Sequence, residues 1–175
     1  MELKIYPDPI LAEKCVDVEM GDTSVLPILE EMGRRLYEFK GVGLAAPQVG
    51  ILKKLVVIDV RSEPAKLYKM INPKIVWKSE EMVDSEEGCL SLPGVRSTVS
   101  RYEKVRVEYL DENFEKRTVE GEDLMSSCLQ HEIDHLSGRL YIDHLSRLKR
   151  GRLLSKFKKL QKEAEEDQEV PADEK

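Results

Sequence analysis

The chain is poor in the residues that build disulfides and metal sites. Its 175 residues hold three cysteines, Cys15, Cys89 and Cys128, and three histidines. An odd cysteine count argues against a disulfide framework, so each thiol is either a small core residue or a group used in chemistry. No apolar run is long enough to span a membrane, and no membrane partner is expected. The opening stretch MELKIYPDPILAEKC has neither the apolar core nor the small-residue cleavage pattern of a signal peptide, so the expected location is cytoplasmic. Positive charge is also in deficit. A net charge of −6 gives the whole molecule no basic footprint for DNA.

What is present fits an ordinary globular protein, 41% hydrophobic and 35% charged. The length suits one core and would be tight for two, so residues 1–165 read as a single domain and 166–175 as a disordered tail. SVLPILEEMGRRLYEFKG (24–41) has helical spacing at Val25, Ile28, Leu29, Met32 and Leu36, with Ser24 able to cap it and Gly41 to stop it. A glycine- and alanine-rich loop, GVGLAAPQVG, follows. KKLVVIDV reads as a buried strand, and KLYKMINPKIVWKS as a strand broken at Asn72-Pro73. EEMVDSEEGCLSLPG starts strand-like and ends in a loop. Residues 103–121 alternate on both sides of Asp111-Glu112-Asn113, which predicts a hairpin. GEDLMSSCLQHEIDHLSG is a second helix, with acidic residues in its first turn and Gly138 at its end. RLKRGRLLSKFKKLQKEAEEDQ is a third. Helix, strands, then helices give an α+β class: antiparallel or mixed sheets around the second helix, with an N-terminal and a C-terminal helix.

That second helix carries His131-Glu132-x-x-His135. Residues four apart lie one turn apart on one face, so both imidazoles can aim at one metal ion. Glu132 sits about 100° around from His131, placed as a general base beside the metal. A catalytic site of this kind needs a third protein ligand. Tyr141 stands where one class of H-E-x-x-H peptidases has a third histidine, which disfavours that class. Glu163, Glu165 and Glu166 lie in a solvated, charge-rich segment. His144 sits beyond the helix end and reads as a surface or capping residue. Cys89 is the strong candidate, because a thiolate suits zinc or iron, although a free cysteine is usually a small buried hydrophobe. Spacing alone leaves the choice open.

Three motifs, GVGLAAPQVG (Gly41–Gly50), EEGCLSLPG (Glu86–Gly94) and QHEIDHLSG (Gln130–Gly138), resemble the signatures of the bacterial peptide deformylases, and YPDPIL near the start fits as well. The similarity runs to about Leu160. The long C-terminal helix resembles the branch of Gram-negative bacteria and organelles. The resemblance implies a metal-dependent hydrolase that removes formyl from N-formylmethionine on nascent polypeptides, within one deformylase domain. It implies that Cys89, His131 and His135 hold one divalent ion, typically Fe²⁺, with zinc, nickel or cobalt able to take its place. It makes Glu132 the general base and acid, and it gives Gln48 and the Leu90 N–H to an oxyanion hole. Gly43 would let the substrate chain lie close, with Val42 and Leu44 beside it. Leu124 and Cys128, on the His131–His135 stripe, would line the methionine pocket, where Ser127 replaces a larger apolar residue. Glu87 would pair with Arg96 to hold the Cys89 loop. The basic C-terminal helix, from Arg147 to Lys162, would contact the ribosome. An H-E-x-x-H metallopeptidase is the alternative.

Overall fold

The computed structural model describes residues 1–169, with side chains placed through residue 166. An extended N-terminal segment leads to α1 (Leu26–Glu38). β1 (Gly43–Ala45), β2 (Leu55–Ile58) and β3 (Tyr68–Lys78) follow, then β4 (Met82–Cys89) and β5 (Leu92–Tyr102). β6 (Lys104–Leu110) and β7 (Lys116–Glu122) run into α2 (Asp123–His135), and α3 (Arg147–Glu169) comes last. The expected α+β architecture is present. One antiparallel sheet has the order β1-β2-β3-β6-β7, and β4 and β5 form a second sheet of two strands.

β2 is buried at every residue because a helix covers each of its faces. Leu55 and Val57 pack with Leu29, Met32 and Leu36 of α1. Val56 and Ile58 pack with Cys128 and Leu129 of α2. Neighbouring strands keep the same alternation, with Leu44 and Ile71 toward α1, and Ala45 and Met70 toward α2. Each Val, Leu, Ile or Met side chain among them contributes about 1.5–3 kcal/mol by burial. This apolar floor supports α2, whose other buried residues are mostly polar. A third cluster joins Leu153 and Phe157 of α3 to Val95 and Val99 of β5.

The structure changes several local expectations. Asp22, not Ser24, caps the approach to α1: its Oδ1 accepts from the Ser24 N–H at 3.1 Å. Asn72-Pro73 does not break β3. The ladder slips between Ile71 and Lys74, and Asn72, at φ 52°, bonds both the N–H and the C=O of Val18. The segment after Cys89 is a strand rather than a loop. Leu90 and Ser91 make a tight turn between the paired Cys89 and Leu92. The next pair is Gly88 with Arg96, so Pro93, Gly94 and Val95 form a bulge, with Val95 buried in that third cluster. α3 runs through residues 166–169, which the sequence assigns to the tail; 170–175 lie outside the described residues.

Candidate metal centre and active site

α2 is a buried helix carrying an unusual polar load. Ser126, Ser127, Gln130, His131, Glu132 and His135 are all buried. Gln130 docks it: its Nε2 donates to Tyr102 O at 2.9 Å and its Oε1 accepts from Tyr102 N–H at 3.1 Å. Ser126 Oγ donates to the same carbonyl at 2.8 Å. These bonds tie the helix to the end of β5.

The hairpin tip brings Cys89 to this helix. One ligand atom each from Cys89, His131 and His135 lies within 4.8 Å of the others. Cys89 Sγ is 3.5 Å from His135 Nε2. His131 Nδ1 donates to Glu87 Oε2 at 2.8 Å, which leaves the Nε2 lone pair for a metal. His135 Nδ1 and Glu132 Oε2 are buried without a hydrogen-bond partner among the described residues. A thiol and two imidazoles converging in this way fit a single divalent transition-metal ion.

Burial sets the charge states. The Glu132 carboxyl is pushed up to about 7, chiefly by desolvation. Burial also holds His135 well below the ordinary imidazole value, so its ring is neutral, as ligation requires. Burial alone would lower His131 and raise Glu87. Contacts with Cys89 and Glu87 pull His131 up instead, and Arg101 and His131 hold Glu87 down at about 2. The Cys128 thiol is raised by burial, so it is a neutral packing group.

The remaining predicted residues divide by position. Gly43 touches Glu132 so closely that a Cβ there would lie 2.3 Å from Glu132 Oε1. Cys128 Sγ lies 3.8 Å from Val42 O, so those two face each other. Gln48 is buried, with Oε1 accepting from Ala45 N–H at 2.9 Å. Its Nε2 donates to Ser91 Oγ at 3.2 Å and points toward Cys89 Sγ at 3.5 Å. Leu90 sits in the hairpin turn next to the thiol. Leu124 is half exposed in the first turn of α2. The Leu44 side chain lies in the α1-side core, so only its main chain can reach the site.

Glu87 does not pair with Arg96. Arg96 is exposed and bonds Glu86 at 2.9 Å. Glu87 instead takes both forks of buried Arg101, at 2.6 and 2.9 Å. Arg101 Nη1 also donates to Asp134 Oδ2 at 2.8 Å, and His144 Nε2 donates to that oxygen at 2.7 Å. His131, Glu87, Arg101 and Asp134 therefore form a closed ring through α2. The sequence reading missed Arg101 and Asp134. Both left a signal: Arg101 shares strand parity with buried Val95 and Val99, and Asp134 lies one turn from His131. Ser91 left none.

Comparisons with known proteins agree with one another. The Polypeptide deformylase family matches residues 1–151. The chain is 44% identical over 165 residues to the peptide deformylase of Bartonella tribocorum, covering 92% of this chain and 93% of that one. It is 44% identical over 173 residues to that of Methylocella silvestris, covering 95% and 88%. The crystal structure of peptide deformylase from Ehrlichia chaffeensis superposes with a TM-score of 0.88 at 34% identity, covering 94% of this chain and 98% of that one. One from Synechococcus elongatus in complex with actinonin gives 0.84 at 38% identity, covering 89% and 86%.

Proposed function

Because this chain belongs to the polypeptide deformylase family, we infer that the site formed by α2, β1 and the Cys89 hairpin receives a formylated N-terminal methionine. The protein is an enzyme that removes the formyl group from the N-terminal methionine of newly made polypeptides. The observation that carries the site assignment is the meeting of Cys89, His131 and His135 beside Glu132, whose Oε2 is buried without a hydrogen-bond partner among the described residues.

The family is metal-dependent, and Cys89, His131 and His135 are the residues that would hold the ion. When bound, a divalent ion lowers the pKa of water to about 7 and polarises the formyl oxygen. Glu132, with its carboxyl near 7, takes a proton from the attacking water and returns it to the leaving amine. Gln48 keeps one Nε2 hydrogen on Ser91 and, with substrate bound, shifts the other from Cys89 Sγ to the formyl oxygen, joined by the Leu90 N–H. Alternate residues of an antiparallel strand turn their main-chain groups to the partner. Val42 does so toward Asp59, whose N–H donates to Val42 O at 2.9 Å. The Gly43 N–H and C=O therefore face the free edge of β1, where an extended peptide adds as a strand. Val42, Leu124 and Cys128 line the methionine pocket, with Leu44 contributing main chain. Glu87 orients His131, and Arg96 stands at the rim.

Ferrous iron is the proposed physiological ion, since thiolate and imidazole suit it as they suit zinc, nickel or cobalt. One experiment tests substrate and metal together. Protein purified without oxygen is analysed for bound metals, then given formyl-Met-Ala-Ser and the unformylated peptide. Formate release with both backbones intact and about one iron per chain is the expected result. Backbone cleavage would instead support the metallopeptidase alternative, and zinc in the active preparation would displace iron.

The catalytic domain is read as residues 1–165, with α3 packed on β5 through Leu153 and Phe157. No helix among the described residues is long and apolar enough to cross a membrane. A cytoplasmic enzyme working on nascent chains would meet the ribosome. The outer face of α3 presents exposed Arg147, Lys149, Arg152, Lys156 and Lys158, while Leu153 and Phe157 face inward. Reversing Lys149, Arg152 and Lys156 to glutamate should abolish co-sedimentation with ribosomes and leave formate release intact. Unchanged co-sedimentation would rule out docking through this face.

A further inference from the structure

A cluster behind the edge strand has no part in the chemistry above. Tyr37 comes from the last turn of α1, and Asp59 and Arg61 follow β2. The Tyr37 hydroxyl donates to Asp59 Oδ2 at 2.8 Å, and the Arg61 N–H donates to Asp59 Oδ1 at 2.8 Å. The Arg61 guanidinium lies over the Tyr37 ring, 4.8 Å from its centroid, and Nη2 donates to Gly41 O at 3.3 Å. The Asp59 N–H in turn holds Val42 O. The carbonyls of both Gly41 and Val42 are thus gripped from one cluster. Asp59 is only 3% exposed, although it borders an open cleft of about 740 Å³ lined also by Tyr37, Arg61 and Glu63.

Backbone conformation points the same way. Lys40 and Arg61 have φ of 57° and 59°, a left-handed region that non-glycine residues seldom occupy. Both sit where the chain enters or leaves this cluster. Contacts that hold two such residues in place fix the backbone between them.

We propose that Asp59, with Tyr37 and Arg61, is a positioning device for the substrate main chain. It sets Gly41–Gly43 so that the outward groups of Gly43 meet the peptide while Gly43 stays against Glu132. The proposal rests on the reading that the formylated peptide pairs with the free edge of β1. It distinguishes these residues from catalytic ones, because they touch the segment that touches substrate.

The test uses two variants, Tyr37→Phe, which removes the hydroxyl donor, and Asp59→Ala, which removes both acceptor oxygens. Each is assayed on formyl-Met-Ala-Ser and on formylmethionine amide. A hydrogen bond lost at this position should raise KM for the tripeptide about five- to tenfold, with kcat within about twofold. The amide, which has little main chain beyond the methionine, should show a much smaller KM change. The double variant should be no worse than the stronger single one, since both remove the same contact. An unchanged ratio of the two KM values in both variants, whatever the melting temperature does, would overturn the clamp while leaving the deformylase reading in place. Wild-type protein that releases no formate from either compound would overturn the substrate reading and the clamp with it.

Discussion

Replacing Glu132 by alanine is expected to lower kcat for formate release by about 10²–10⁴-fold while metal content stays at the wild-type level. The carboxyl lies beside the ligand cluster but is not among its members. Its Oε2 is buried and unpartnered among the described residues, and burial brings its pKa to about 7. A group poised there can accept and donate a proton at neutral pH. The same isolation makes it a liability for folding, since an unsatisfied buried polar atom costs about 1–3 kcal/mol. Removing the carboxylate relieves that cost and leaves a small cavity, so the variant should melt at or near the wild-type temperature. Kinetics with elemental analysis and a thermal scan read all three quantities. A kcat within tenfold of wild type, with metal bound, would remove Glu132 from the mechanism.

Gly43→Ala should lower kcat/KM by about 100-fold or more through displacement alone. The added Cβ would stand 2.3 Å from Glu132 Oε1, 2.7 Å from its Cδ and 2.8 Å from its Cγ. Neither partner can retreat freely. β1 is registered against β2 through Gly43–Ile58 to Ala45–Val56, and Glu132 sits on a helix covered on most sides. A misplacement of about 1 Å at a reacting group is enough for a loss of that size. Overpacking should also cost about 1–3 kcal/mol of stability. Gly151→Ala is the control: nothing lies within 4 Å of its added Cβ, so it should be neutral or stabilising. If the Gly43 variant kept activity within threefold of wild type, the close packing of β1 on the base would have no functional weight.

How much of this was legible in the sequence depends on the range of the interaction. His131, Glu132 and His135 were legible because helical spacing alone puts them together. The hairpin β6–β7 was legible because Asp111 ends an alternating run, and its Oδ1 indeed accepts from the N–H groups of Asn113 and Glu115. Cys89 was a candidate on chemistry and became a choice only through the resemblance. Nothing local reveals the three-residue bulge at Pro93–Val95, or that the hairpin tip beside it lies against α2. The partner of Glu87 was misjudged because Arg96 is nearer in sequence. Strand parity decides it instead, since Arg101 is on the buried side of β5 and Arg96 on the open side. The Asp59 cluster was invisible, being assembled from three segments by sheet register. Deformylation itself was legible only through family likeness, because the same three ligands and base could serve other hydrolyses.

The Gln130 amide has a consequence for how the centre is aligned. It pairs with Tyr102 by offering one acceptor and one donor to that residue's N–H and C=O. This is what a neighbouring strand residue would do, so α2 is keyed to β5 as though by one rung of a ladder. Cys89 is carried on the strand paired with β5, and the two histidines are carried on α2. A single rung therefore acts as a ruler between ligands from separate elements. Sliding the helix by one turn would move it about 5.4 Å and leave that rung with no matching group. The gauge of the metal pocket is thus quantised by peptide geometry, and gradual drift of the two halves has no intermediate setting in which to rest.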